Sequence, residues 1–201
     1  MARMGMRNDV TSTRLSGSLQ GRLLIAMPSM QDSRFAHTVV YMCSHGEDGA
    51  MGLVINRPAD HITFDDLLDQ LSIDVSGAAH AHVPVHMGGP VATSRGFVLH
   101  SAEYSGSGAT VWVGDGVGLT ATTDVLRAIA DGKGPRDKLL VLGYAGWGPD
   151  QLENEIKANG WLVCDAQPEL VFAPDANDKW SQALATLGVD PSLLSGEAGH
   201  A

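Results

Sequence analysis

The chain has 201 residues, 44% of them hydrophobic and 18% charged, which suits one domain with a substantial core and not a disordered chain. Its formal net charge of −10 works against non-specific attraction to nucleic acid or anionic membrane. No apolar run approaches the roughly 18 residues of a membrane span.

The N-terminus, MARMGMRNDVTSTRLSGSLQ, is polar and arginine-bearing and lacks the apolar stretch of a secretory signal. A flexible leader over residues 1–20, a single domain over 21–188 and a mobile tail over 189–201 are expected, in a cytoplasmic protein. Leu23 to Met27 reads as a first strand ended by Pro28. Thr38 to His45 and Met51 to Asn56 read as a hairpin pair around the turn Gly46-Glu47-Asp48-Gly49. Phe64, Leu67, Leu68 and Leu71 recur at helical spacing, with Asp65, Asp66 and Asp69 on the solvated side.

Ser76 to Val83 has the composition of a surface loop. Gly96 to Ser101 is a further strand, and Thr110 to Val113 and Gly118 to Ala121 flank a second hairpin turn. Thr122 or Thr123 can cap a helix from Asp124 to about Asp131. The run Leu139 to Leu142 is a buried strand, followed by Gly143-Tyr144-Ala145-Gly146-Trp147-Gly148 as a strand-to-helix turn. Asp150 is placed to cap the next helix, in which Glu153 and Lys157 sit at i, i+4. Trp161 to Cys164 and Glu169 to Phe172 read as strands, and Trp180, Ala183, Leu184 and Leu187 as the stripe of a last helix. Hairpins outnumber helical crossovers, so the fold class is α+β with a mixed, mainly antiparallel sheet.

Several segments together resemble the AlgH/YqgE family of bacterial proteins: GRLLIAMP at 21–28, TVVYMC at 38–43, GAMGLVINRP at 49–58, GGPV at 88–91, RGFVLH at 95–100 and LGYAGWGPDQ at 142–151. NGWL at 159–162 and Trp180 add to the likeness. The resemblance implies a bifurcated sheet curled into a pseudo-barrel, flanked by a few short helices. It also brings the label of a transcriptional regulator, but no assigned activity and no catalytic residues. Pro149-Asp150 departs from the smaller pair usual in the family.

The residues themselves suggest sites. Gly143, Tyr144, Gly146 and Trp147 could wall a ligand pocket, or the aromatics could plug the end of the barrel. Gly88, Gly89 and Arg95 could form an anion-binding turn, and Asn56 at a strand end offers a further polar contact. In each case the alternative is a purely structural turn. Cys43 and His45, two apart on a strand, would share a face, where an imidazolium could stabilise a thiolate in a thiol-dependent enzyme or redox sensor. The bland reading is a buried thiol and a surface imidazole. His80, His82 and His86 match no standard zinc spacing, so no metal and no cofactor is expected. Nucleotide-loop, nucleophile-elbow and zinc-protease motifs are missing, and the acidic Phe64–Leu71 helix is unlike a DNA-recognition helix. The expectation is a regulatory domain that binds a small molecule or a protein partner, with the regulator of transcription and the thiol enzyme as alternatives.

Overall fold

The computed structural model describes residues 17–74, 83–106, 108–114, 116–191 and 194. Within them lie strands β1 (Arg22–Ala26), β2 (Val39–Gly46), β3 (Gly49–Val54), β4 (Val85–Met87), β5 (Val91–Ser101), β6 (Thr110–Gly114), β7 (Val117–Thr120), β8 (Lys138–Trp147) and β9 (Trp161–Asp165). Helices are α1 (Phe64–Gln70), α2 (Thr123–Ala130), α3 (Gln151–Lys157), α4 (Pro168–Val171) and α5 (Lys179–Thr186). The strands form one sheet in the order β6-β7-β5-β8-β3-β2-β1-β9, antiparallel throughout except for β4, which pairs in parallel with β8. The expected α+β fold with a bifurcated, curled sheet is therefore what the chain adopts.

The fork lies on β8. One edge of this strand pairs with β5; the other pairs first with β4, through Leu140 to Leu142, and then with β3, through Ala145 to Trp147. Side-chain alternation along β8 changes phase between the two halves. Leu139 and Val141 enter the interior core, while Leu140 and Leu142 face α1 and α2. Beyond Gly143, Tyr144 packs on the interior, and Ala145 and Trp147 join a third cluster with Leu152 of α3 and Trp161. Unbroken alternation cannot make this change; it falls at Gly143, at φ +71°, where the β5–β8 register shifts in a bulge, Leu142 pairing with Gly96 and Tyr144 with Val91. The sequence-based expectation of a turn over Gly143 to Gly148 is corrected here: the strand runs on to Trp147, and only Gly148 to Asp150 turns.

Gly88 and Gly89 cross this bulge. A Cβ on Gly88 would run into the Gly143 carbonyl oxygen and the Val141 side chain, and one on Gly89 into the Tyr144 carbonyl. Gly88 N–H donates to Leu142 O at 2.7 Å, and Val54 N–H donates to Gly88 O at 2.9 Å, stitching the two branches of the fork together. Curling brings the far edge back towards β1: Gln20 Nε2 donates to Val113 O of β6 at 3.1 Å, and Leu19 is buried. The domain thus already holds residues 18–20, which the sequence placed in the leader. Residues 1–16 and most of the expected tail lie outside the described residues, although Val189 and Leu194 pack on the interior core.

Three further local expectations change. Glu169 to Phe172 is not a strand: Pro168 opens the short helix α4, a favourable first helical position because proline has no N–H to satisfy. Asp150 stands at the N-cap of α3 but in the left-handed region, and its side chain makes no capping bond; Gln151 Oε1 instead accepts from Gly148 N–H at 3.0 Å. Thr122 likewise makes no capping bond at α2. Thr63 and Asp66, by contrast, form a full capping box on α1, which gives one of the acidic residues there a structural task.

Lys179 is the least expected member of the core. It is fully buried at the start of α5, and its ammonium donates to Ile55 O at 3.1 Å and Val171 O at 2.8 Å. Burial pushes its pKa down to about 8. Nearby His86 is also buried, with Nδ1 lacking a hydrogen-bond partner, and burial lowers its pKa to about 4. His86 is therefore neutral at pH 7. His80 and His82 lie outside the described residues, and among those described no group of three potential ligands could hold a metal.

Two predictions concern stability. Gly88→Ala should cost about 1–3 kcal/mol through overpacking against β8, read as a lower urea midpoint with unchanged slope. For Lys179, the folded pKa lies below the unfolded one, so between them the unfolded chain binds more protons and stability rises with pH. The burial cost is full below about pH 8 and is relieved towards the ~10.4 of a free lysine. Wild type should therefore gain on Lys179→Met by roughly 2–3 kcal/mol between pH 7 and 10.5, in paired denaturation curves.

Candidate functional site

The connection from β1 to β2, residues 27–38, folds over the end of β8. Four main-chain bonds within it shape it: Met30 N–H to Met27 O, both Phe35 and Ala36 N–H to Asp32 O, and Thr38 N–H to Phe35 O. Asp32 also grips Arg34, whose Nε and Nη2 donate to its two carboxylate oxygens at 2.9 and 2.7 Å. This hydrogen bond holds the Asp32 pKa below its usual value. From below, Arg57 Nη2 donates to Ser33 O at 2.8 Å, and Asn56 Nδ2 to His37 O at 2.9 Å. Asn56 Oδ1 also accepts from Val39 N–H at 2.8 Å, so this side chain is spent on placing the loop.

The loop so placed presents Phe35 to Trp147 and Trp161. Ring centroids lie 6.5 Å apart for Phe35–Trp147, 5.7 Å for Phe35–Trp161 and 6.0 Å for the two indoles. Both indole N–H groups donate to one oxygen, Oε2 of Glu155 on α3, at 2.9 and 2.8 Å. Gln151, one turn earlier, donates to the other oxygen at 3.0 Å. Residues four apart on a helix share a face, which is why Gln151 and Glu155 meet at this spot.

A cleft of about 370 Å³ opens between the loop, the start of β5 and α3. Its apolar lining comes from Met30, Phe35, Pro90, Trp147 and Trp161, with exposed Val91 at the mouth; its polar groups are Asp32, Arg34, Gln151 and Glu155. A second cleft of about 500 Å³ adjoins it, sharing Arg34 and Pro90 and reaching Asn56, Arg57 and Gly89. The fold therefore brings Asn56, Gly89, Gly146 and Trp147 to one continuous groove, although they come from three separate motifs.

Other residues singled out in the sequence go elsewhere. Gly88 and Gly143 serve the crossing described above. Tyr144 turns to the interior core, with its ring edge-on to Phe97 at 6.2 Å. Arg95 lies on exposed β5 with its guanidinium over the Phe97 ring at 5.1 Å, and lines neither cleft. The sequence reading missed Arg34, Phe35, Glu155 and Trp161 as site residues. The available signals were the placement of the 27–38 loop between two family-like segments and the i, i+4 spacing of Gln151 and Glu155.

Cys43 and His45 do not share a face. The β2–β3 register skips between Met42 and Ser44, leaving Cys43 as the bulged residue and reversing the alternation after it. Cys43 points into the interior core, 3.7 Å from Tyr41 O, and burial pushes its thiol up to about 12. His45 faces α3 instead. Its Nδ1 accepts from Leu19 N–H at 3.1 Å, so Nε2 carries the proton donated to Glu153 Oε1 at 2.7 Å. Both ring nitrogens are thus engaged away from the thiol. Cys164, in the same core, is likewise a free and buried thiol.

Comparison with known proteins agrees with this architecture. A family model described as AlgH-like matches residues 23–192. A UPF0301 protein of Bradyrhizobium diazoefficiens is 53% identical over 193 residues, covering 92% of this chain and 90% of its own. Another from Ruegeria pomeroyi is 55% identical over 183 residues, covering 91% and 99% respectively. The solution structure of the AlgH protein from Pseudomonas aeruginosa superposes with a TM-score of 0.74 at 43% identity, over 98% of this chain and all of that one. A Corynebacterium diphtheriae protein, DIP2367, shares the fold at a TM-score of 0.69 and 23% identity, over 88% of this chain and 91% of its own. The chain belongs to the AlgH-like, UPF0301 family.

Proposed function

We propose that this protein is a binding domain of regulatory rather than catalytic role, and that it takes a small molecule in the cleft between the 27–38 loop and α3. One observation carries the reading: three motifs distant in sequence converge on a groove with an apolar floor and a few converging polar groups. The 370 Å³ part falls within the roughly 300–1,000 Å³ range of small-molecule sites. The structural cost points the same way. Asn56 and Arg57 are committed to holding a loop whose visible product is the placement of Phe35 against Trp147, with Arg34 in the cleft lining.

A thiol-dependent reaction is not supported by the burial of Cys43 or by the engagement of both His45 nitrogens. A cytoplasmic location is part of the proposal, favoured by two reduced, buried thiols. Direct DNA contact is left out, since the net charge of −10 disfavours it. Any effect on transcription would then pass through ligand occupancy and a protein partner.

Protein taken gently from cells should carry an added mass in native mass spectrometry that is absent after denaturation. Val91→Trp, which fills the cleft mouth from an exposed position, should abolish that mass without altering the circular dichroism. Wild type that stays mass-free, with indole N–H resonances unmoved by a metabolite extract, would sink the reading. Separately, iodoacetamide should alkylate Cys43 in the native protein at least about a hundredfold more slowly than a free thiol at pH 7.5. A rate equal to that of the free thiol would revive the cysteine chemistry.

A further inference from the structure

The charge balance of the cleft indicates what kind of ligand it takes. Arg34 is paired through two nitrogens with Asp32, so these two charges offset one another at the mouth. Glu155 has no such cationic partner in the cleft lining; its neighbours there are two indole N–H groups and the Gln151 amide. One negative charge is left among apolar walls. The donors able to greet an anion are engaged already: Arg34 with Asp32, and Trp147, Trp161 and Gln151 with Glu155. An anionic ligand would meet a carboxylate of its own sign and would have to break these bonds.

The rings favour the opposite charge. An indole whose N–H donates to a carboxylate is polarised so that electron density moves onto its π system, which deepens the negative potential of its face. Here both indoles are polarised by the same oxygen. Half-buried Phe35 stacks on Trp147 with 29° between the planes and meets Trp161 edge-on at 71°. Trp147 and Trp161 are only 7% and 2% exposed, so the cleft offers half-buried Phe35 and the little indole surface beside the carboxylate; such walls suit a weakly hydrated cation, which gives up little solvation on entering.

Resting on the reading of this groove as a small-molecule site, we infer that the pocket of Phe35, Trp147, Trp161 and Glu155 selects ligands bearing a quaternary or otherwise alkylated ammonium group. The cation lies beside Glu155 and the rings, and its apolar body extends towards Pro90 and Val91. Binding involves no covalent step.

The test uses the full chain and a matched pair of probes, choline and its neutral carbon analogue 3,3-dimethylbutan-1-ol. These have the same shape and differ in charge. Binding is followed by the indole N–H resonances of Trp147 and Trp161. Choline should bind about tenfold more tightly than the alcohol, the size of effect expected when a cation–π and an ionic contact are lost together. Glu155→Gln should bring choline down to the level of the alcohol. Since Glu155 also anchors both indoles, Arg34→Ala provides a second variant that leaves them alone. It frees the Asp32 charge and should tighten choline binding a few-fold without changing the alcohol. Equal affinity of the two probes would overturn the cation assignment while leaving the groove a binding site. Failure of both probes, or weaker choline binding in Arg34→Ala, would also overturn it. The groove itself stands or falls on the native-mass and Val91→Trp experiment.

Discussion

The crossing of Gly88-Gly89 over the bulge at Gly143 is the constraint on which the rest of the molecule depends. Two backbones meet there more closely than any side chain would allow, and the hydrogen bonds made by Gly88 tie β3 to β8 across the gap. Because the phase of β8 changes at this point, one strand serves the α1–α2 layer with its first half and the α3 layer with its second, while contributing to the interior core throughout. A continuous alternation would have turned Trp147 inward, away from Glu155 of α3. The fork of the sheet and the position of the cleft have a common cause.

Within the cleft, the organising group is the Glu155 carboxylate. A half-buried carboxylate must be supplied with donors, and it collects two indoles and an amide from three different elements. This fixes the mutual orientation of Trp147 on β8 and Trp161 on β9, strands that lie at separate places in the sheet order. The 27–38 loop then needs no regular secondary structure of its own, since Asn56 and Arg57 satisfy its carbonyls from beneath. Loops placed in this way by a rigid scaffold are where binding groups are usually found.

The interior of the half-barrel contains a different kind of polar commitment. Lys179 spends two of its three donors on the carbonyls of Ile55 and Val171, joining the end of β3 to α4 and α5. Helical spacing gave an apolar stripe for the last helix and no reason to bury the lysine preceding it. Leu187, part of that stripe, is 40% exposed. The exchange reflects where α4 and the β3 end leave unpaired carbonyls, and local periodicity carries no information about them.

Much of the fold was legible. Hairpin turns at Gly46 to Gly49 and around Gly116, the strands they join, and the amphipathic α1 and α2 all follow from patterns within about ten residues, where turn chemistry and alternation act. Family likeness supplied the curled, forked sheet, while the residue types alone singled out Asn56, Gly89, Gly146 and Trp147 without saying how they meet. What the sequence by itself determined is therefore most of the elements, α4 and the second half of β8 excepted, and the class of fold, because those depend on local propensity and burial. Only the tertiary structure decided that Cys43 and His45 part company, that Tyr144 and Arg95 stay out of the cleft lining, and that Phe35, Glu155 and Trp161 enter it. Each of these outcomes turns on a single-residue shift of register or on a contact between distant segments, and a strand's pattern of residue types reads nearly the same on either side of such a shift.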